Sequence, residues 1–295
     1  MQRRLLLIAA PSAGLPGALH AQTRAPRLVA SFSLLADLLR EIVPPGFEVQ
    51  ALVGVDTDAH VFEPRPSDAR RLAEADLVVV NGLGFEGWLD RLVRASGYRG
   101  TVLTASRDAS VRRAGAATDP HAWLDVAQAR RYVATMATAL AARWPAEADT
   151  VRQRSADYDA RLASLDAQIR QRLGTIPRAR RRVVTAHDAF GYFGDAYGVD
   201  FLAARGWNPH AEPSAAAVAR LVRQVREQQA QALFLENIAD PRLIERIARE
   251  SGARVGGTLY ADALSAPGGP ADTYLRLMAH NVRTLADALG PETPR

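Results

Sequence analysis

Residues 145–173 read PAEADTVRQRSADYDARLASLDAQIRQRL. Val151, Ser155, Tyr158, Leu162, Leu165, Ile169 and Leu173 step through this stretch by threes and fours, which puts them on one face of a helix. Pro145 suits the start, because its missing N–H has no partner in a first helical turn. At 1.5 Å per residue the stretch predicts a rod of about 40 Å, long enough to run the length of a pair of domains. No flexible Gly/Ser hinge accompanies it. The stretch therefore reads as a rigid connection between two lobes.

Working outward from the rod, both flanks alternate short β-branched runs with helical stretches. On the N-terminal side, Leu28–Phe32, Glu48–Val53, Asp76–Asn81 and Thr101–Thr104 read as strands. Leu34–Ile42, a helix capped by Ser67 and running through Ala73, and Phe85–Ala95 read as helices. Beyond Pro177 the alternation restarts. Strands are expected at Arg182–Ala186, Val199–Leu202, Ala232–Glu236 and Arg254–Thr258. Helices are expected at Ala189–Tyr197, Ser214–Gln228, Pro241–Ser251 and Thr273–Leu289. Such alternation predicts an α/β fold: two similar parallel-sheet lobes joined by one long backbone helix. The division is 22–145 for the N-terminal lobe, 146–176 for the helix and 177–295 for the C-terminal lobe. Ligands of such sheets sit beyond the carboxyl ends of the strands, here the cleft between the lobes.

The chain has 295 residues, 48% of them hydrophobic, enough for a core in each lobe. Lysine is absent, so all 37 basic residues are arginine, set against 32 acidic ones for a net charge of +5. The arginines are interspersed with acids along helices. The one dense run, Arg178–Arg182, is short and reads as a solvated surface, so nucleic acid is not an expected partner. At the N-terminus Arg3 and Arg4 precede the apolar stretch Leu5–Leu19, and small residues follow up to Ala21. This is the shape of a signal peptide, residues 1–21, too short and too rich in Pro and Gly for a bilayer span. With no cysteine there is no lipid attachment site, no disulfide and no thiolate ligand. The expected location is the periplasm, unanchored.

Six histidines can be taken singly. His20 falls in the signal segment and His280 inside the last helix. His60 follows the second strand through GVDTDAH, His187 follows the strand RVVTA, and His121 sits in DPHAWLD before a helix. All three lie where cleft-lining loops belong. His210, in NPHAEPS, is undecided. Long separations and the lack of an HExxH or CxxC signature leave two readings open, a metal site or ordinary loop histidines, and spacing designates no fourth ligand.

The segments GVDTDAHVFEPRPSDARRLAEADLVVVNGLGFEGWLD, DPHAWLDVAQAR, VVTAHDAFGYFGDAYGV, AEPSAAAVARLVRQVREQ, ALFLENIADPRLIERIA and LYADALS resemble the TroA-like metal receptors of ABC transporters. Within them the resemblance is closer to zinc receptors of the AztC and ZnuA types, and it runs from about residue 27 to the end. It implies two α/β lobes joined by a long helix, and no enzymatic activity. It implies that His60, His121 and His187 each offer an imidazole nitrogen and Asp262 a carboxylate oxygen. Manganese and iron receptors commonly carry glutamate at the third position, where this chain has His187. Three imidazoles and a carboxylate suit Zn²⁺, with Mn²⁺ or iron as the alternative cargo. Affinity would fall as pH drops through about 6.5, because ligating imidazoles must be neutral.

The resemblance also implies a monomer that delivers its ion to a membrane ABC permease, with a periplasmic zinc metallochaperone as a further partner. Two departures stand out. The region Asp108–Thr118 is short and lacks the histidine-rich loop frequent in ZnuA-type receptors, and RGWNPHAEPS inserts His210. Glu63, Asp125, Asp188 and Glu236 are candidates to accept the second N–H of a ligating histidine. A zinc hydrolase is the rival class. It would require only three protein ligands, a bound water and a nearby base.

Overall fold

The computed structural model describes residues 24–114, 117–206, 213–227 and 230–290. The expected signal segment and His210 lie outside the described residues.

The N-terminal lobe runs β1 (Arg27–Phe32), α1 (Ser33–Ile42), β2 (Glu48–Val53), α2 (Pro66–Ala73), β3 (Leu77–Val80), α3 (Leu89–Ser96) and β4 (Val102–Thr104). A short antiparallel pair follows, β5 (Arg113–Ala114) with β6 (Ala117–Thr118), and then α4 (Val126–Arg143). The rod is α5 (Ala148–Gly174). The C-terminal lobe runs β7 (Arg182–Thr185), α6 (Gly191–Tyr197), β8 (Asp200–Ala203), α7 (Ala215–Glu227), β9 (Ala232–Glu236), α8 (Arg242–Ser251), β10 (Val255–Leu259) and α9 (Tyr274–Leu289).

Each lobe holds a four-stranded parallel sheet, ordered β2-β1-β3-β4 and β10-β9-β7-β8. Numbered within its own lobe, the second order reads 4-3-1-2, which is the first order taken from the other edge. The lobes thus share a topology. The strands are short and apolar, as buried parallel strands are; LVVV in β3 is buried at all four positions.

The rod spans 27 residues, which at 1.5 Å each gives the expected length of about 40 Å. Pro145–Glu147 forms a 3₁₀ turn ahead of it. Val151, Tyr158, Leu162, Leu165, Ile169 and Leu173 are buried, and Ser155 is half-buried. This face packs on α1, α4 and α9, so the rod touches helices of both lobes. One core cluster runs through the molecule from Leu28 to Leu289 and takes in Trp123, Tyr158, Phe234 and Tyr274. A smaller one, with Val184, Leu221 and Ile244, lies under α7 and α8.

Two local expectations are corrected. Ser67 is not a cap: Pro66 takes the first helical position, and Asp68 accepts a hydrogen bond from the Arg65 N–H at 2.8 Å. Proline's fixed φ sets the start two residues earlier than a Ser67 cap would. The helix placed at Phe85 begins only at Leu89. Before it, Gly82, Leu83 and Gly84 all have positive φ, and the half-buried Glu86 carboxylate accepts hydrogen bonds from the Asn81 and Gly82 N–H groups. Those bonds fold the segment into a turn. Among the described residues no helix is long and apolar enough to cross a membrane.

Candidate metal centre

His60 lies in the loop after β2, His187 two residues after β7, and Asp262 three residues after β10, all beyond carboxyl ends of strands. His121 precedes the 3₁₀ turn Ala122–Leu124. The two lobes bring these four side chains together. His60 Nε2 is 3.2 Å from His121 Nε2 and 3.3 Å from Asp262 Oδ2. His187 Nε2 is 3.0 Å from Asp262 Oδ2, and His121 Nε2 is 3.6 Å from Asp262 Oδ1. One candidate ligand atom from each residue can be chosen so that all lie within 4.8 Å of one another.

These separations match the edges of a metal polyhedron. A tetrahedral zinc with bonds of about 2.0–2.1 Å has ligand–ligand edges of about 3.3–3.4 Å. Burial adds to the fit. The side chains of His121, His187 and Asp262 are fully buried, and that of His60 is 12% exposed. Asp262 Oδ1 is buried with no hydrogen-bond partner, an arrangement that costs free energy unless a cation meets it.

The remaining ring nitrogens fix the orientation of two histidines. His121 Nδ1 is 2.8 Å from Asp119 Oδ1, and the His121 backbone N–H donates to the same oxygen at 3.0 Å. His187 Nδ1 is 2.5 Å from Glu236 Oε2. With the proton on Nδ1, each Nε2 lone pair points into the cluster. His187 Nε2 and Asp262 Oδ2 are then two acceptors 3.0 Å apart, which only a proton or a metal ion can bridge. Electrostatics agree. Burial alone would lower His187, but Glu236 and Asp262 raise it well above the ordinary histidine value. Burial alone would raise Asp262, and His121 and His187 more than reverse this, holding it well below the usual carboxylate range.

The walls are aromatic. The Phe85 ring sits 4.6 Å from that of His60, and the Trp123 ring 5.4 Å from that of His121. Trp123 Nε1 donates across the cleft to the Ala261 carbonyl at 2.8 Å, beside Asp262. Asp58 accepts the His60 backbone N–H at 2.7 Å and shapes that loop.

Of the four acids expected near the histidines, Glu236 contacts a ring. Asp125 instead caps α4, accepting the Ala127 N–H at 2.9 Å. Glu63 is exposed, and Asp188 bonds through its backbone to Gly206. The expected acids do not include Asp119, which stands two residues before His121 in DPHAWLD. Its signal was that spacing, which lets one carboxylate reach both the backbone N–H and the ring. His280, on α9, takes no part in the cluster: its Nε2 is 3.0 Å from the Thr258 carbonyl.

Known proteins match the whole of this architecture. The family described as "Zinc-uptake complex component A periplasmic" matches residues 28–288. The manganese-binding lipoprotein MntA of Halalkalibacterium halodurans is 34% identical over 264 residues, 89% of this chain and 88% of the relative. The iron-binding protein YfeA of Yersinia pestis is 29% identical, over 90% of this chain and 86% of the relative. The solved structure of the periplasmic zinc-binding protein TroA of Treponema pallidum superposes with a TM-score of 0.85 at 28% identity, covering 90% of this chain and 99% of TroA. Fold, cleft and sequence together place this chain in the ZnuA/TroA family of metal solute-binding proteins of ABC transporters, which are receptors and not enzymes.

Proposed function

We propose that this protein is an extracytoplasmic receptor that captures Zn²⁺ between its lobes and delivers it to the permease of an ABC uptake system. His60, His121 and His187 each supply Nε2 and Asp262 a carboxylate oxygen. The observation that carries this reading is the buried His₃Asp cluster with edges of 3.0–3.6 Å. Four protein ligands close a tetrahedral sphere and leave no position for an activated water, as a receptor requires and a hydrolase does not. Three borderline-soft nitrogens against one oxygen favour zinc over manganese, and zinc also stands higher in the divalent affinity order.

Manganese or iron is the second reading, supported by the manganese- and iron-binding relatives. The working unit is a monomer, divided at 22–145, 146–176 and 177–295, with the ion held where the lobes meet. A periplasmic zinc metallochaperone is a candidate donor.

The test is elemental analysis of protein purified without added metal, followed by zinc–manganese competition monitored calorimetrically. One zinc per chain, displaced poorly by manganese, is the expected result, and His187→Ala should weaken zinc binding sharply. Stoichiometric manganese that zinc fails to displace would transfer the assignment to the second reading.

A further inference from the structure

Arg112 stands outside the cluster, yet it touches what holds two of its members. Its Nη1 donates to Asp119 Oδ2 at 3.1 Å, and the other oxygen of that carboxylate accepts the His121 ring N–H. Its Nε donates to Asp195 Oδ2 at 2.8 Å, on α6 of the opposite lobe. Its backbone N–H donates to the Tyr192 hydroxyl at 2.7 Å, also on α6, and that hydroxyl donates to the Ser110 carbonyl at 2.9 Å. α6 begins four residues after His187. The guanidinium therefore bridges the carboxylate that aims His121 and the helix that continues from His187.

A second observation shows that this bridge is built into the backbone. Gly191 opens α6 directly beneath it. A Cβ at that position would fall 2.2 Å from Arg112 Nη1 and 2.7 Å from Asp119 Oδ2, so only glycine leaves room for the pair. The Asp119 side chain is fully buried while that of Arg112 is 27% exposed. A buried carboxylate held by a charge-assisted donor is fixed in place more firmly than one held by neutral donors.

Resting on the receptor reading above, we propose that Arg112 is a positioning residue for metal retention. It clamps Asp119 against His121 and ties that clamp to α6, so that the His121 and His187 rings hold their relative places only while the two lobes are docked. Loosening the bridge frees the His121 ring, and the ion leaves faster. Retention thereby becomes sensitive to lobe docking without Arg112 touching the ion.

The test uses the full chain loaded with one zinc, or with one cobalt as a spectroscopic reporter. Release is timed by trapping the freed ion with excess chelator. Arg112→Met, which keeps an unbranched apolar stem and loses the guanidinium donors, should accelerate zinc release about 10–100-fold, the usual cost of losing such a partner. The visible bands of bound cobalt should shift as well, while the apo protein's melting temperature changes little. Arg112→Lys, able to serve one carboxylate but not both, should fall between. Gly191→Ala, which leaves Arg112 itself intact, should reproduce the faster release and covers the case in which Arg112→Met does not fold. Wild-type release rates and cobalt spectra in both Arg112→Met and Gly191→Ala would overturn the assignment while leaving the receptor reading in place. A wild-type protein that takes up no divalent cation would overturn both.

Discussion

Glu236 Oε2 lies 2.5 Å from His187 Nδ1, with both side chains fully buried, and the other Glu236 oxygen accepts the His187 backbone N–H at 3.0 Å. One carboxylate at the end of β9 thus fixes both the backbone and the ring of a residue at the end of β7. Adjacent strands of one sheet aim a ligand. Glu236→Gln keeps the shape but offers a weaker acceptor to the ring N–H. Zinc affinity should fall about 10–100-fold in that variant, as read by competition with a chelator of known strength. Unchanged affinity would mean that the His187 ring is oriented by packing alone.

Asp56 makes a different kind of link, between the lobes. It sits in the loop leading to His60 with φ of 48°, a left-handed conformation that Asp tolerates better than most residues. Its Oδ1 accepts from Asn237 Nδ2 at 3.0 Å, its Oδ2 from the Ala266 N–H at 3.2 Å, and its own N–H donates to the Leu264 carbonyl at 2.9 Å. This clasp holds the loop of the one partly exposed ligand against the opposite lobe. Asn237→Ala removes its one hydrogen bond to Asp56, along with a longer one to the Ala263 carbonyl in its own lobe; the bond to Asp56 is worth about 1 kcal/mol, or about fivefold in the closed population. Amide hydrogen exchange over residues 54–62 should quicken by about that factor. Exchange that matches the wild type would show that the remaining two bonds suffice.

The buried Asp37 gives a pH dependence separate from the metal centre. Burial is the main cause that raises its pKa from 3.8 to about 6, although it accepts the Tyr274 N–H at 2.7 Å. Between those two values the folded chain holds a proton that the unfolded chain releases. Asp37 therefore favours folding most below about pH 4, and that contribution is lost as pH rises through about 6. A shift of this size corresponds to at most about 3 kcal/mol. Asp37→Asn stays neutral and can still accept the Tyr274 N–H. Urea unfolding of the apo protein should find the variant more stable than wild type at pH 8, with the difference vanishing near pH 4. Equal destabilisation at both pH values would show that the contribution of Asp37 does not depend on its protonation, against a raised pKa.

The rod and both sheets were legible because buried parallel strands and a long amphipathic helix leave periodic marks along the chain. VVV within β3 and the Tyr158–Leu162–Leu165–Ile169 steps within α5 are local patterns. The metal centre was not local: His60 and Asp262 come from opposite lobes, the strand-end positions of His60, His121 and His187 left a metal site as one of two readings, and only resemblance to known receptors added Asp262. Asp119 escaped notice because its role depends on a turn that lets one carboxylate reach back to a ring two residues on. Arg112 lay beyond sequence reasoning altogether, since its partner Asp195 belongs to the opposite lobe and meets it only after the lobes dock.

The continuous core makes a last claim about the two lobes. Residues of both lobes share one cluster from Leu28 to Leu289, and α5 packs on α1 and α4 of one lobe and α9 of the other. Separate lobes linked by a tether would unfold in two steps. A shared core should instead make loss of either lobe expose the apolar face of the rod, so that the apo chain unfolds in one transition by both calorimetry and circular dichroism. Leu162 is fully buried on that face. Leu162→Ala should cost about 2–5 kcal/mol and lower the single transition without splitting it. Two resolved transitions, with only one displaced by the substitution, would show that the lobes hold their folds independently.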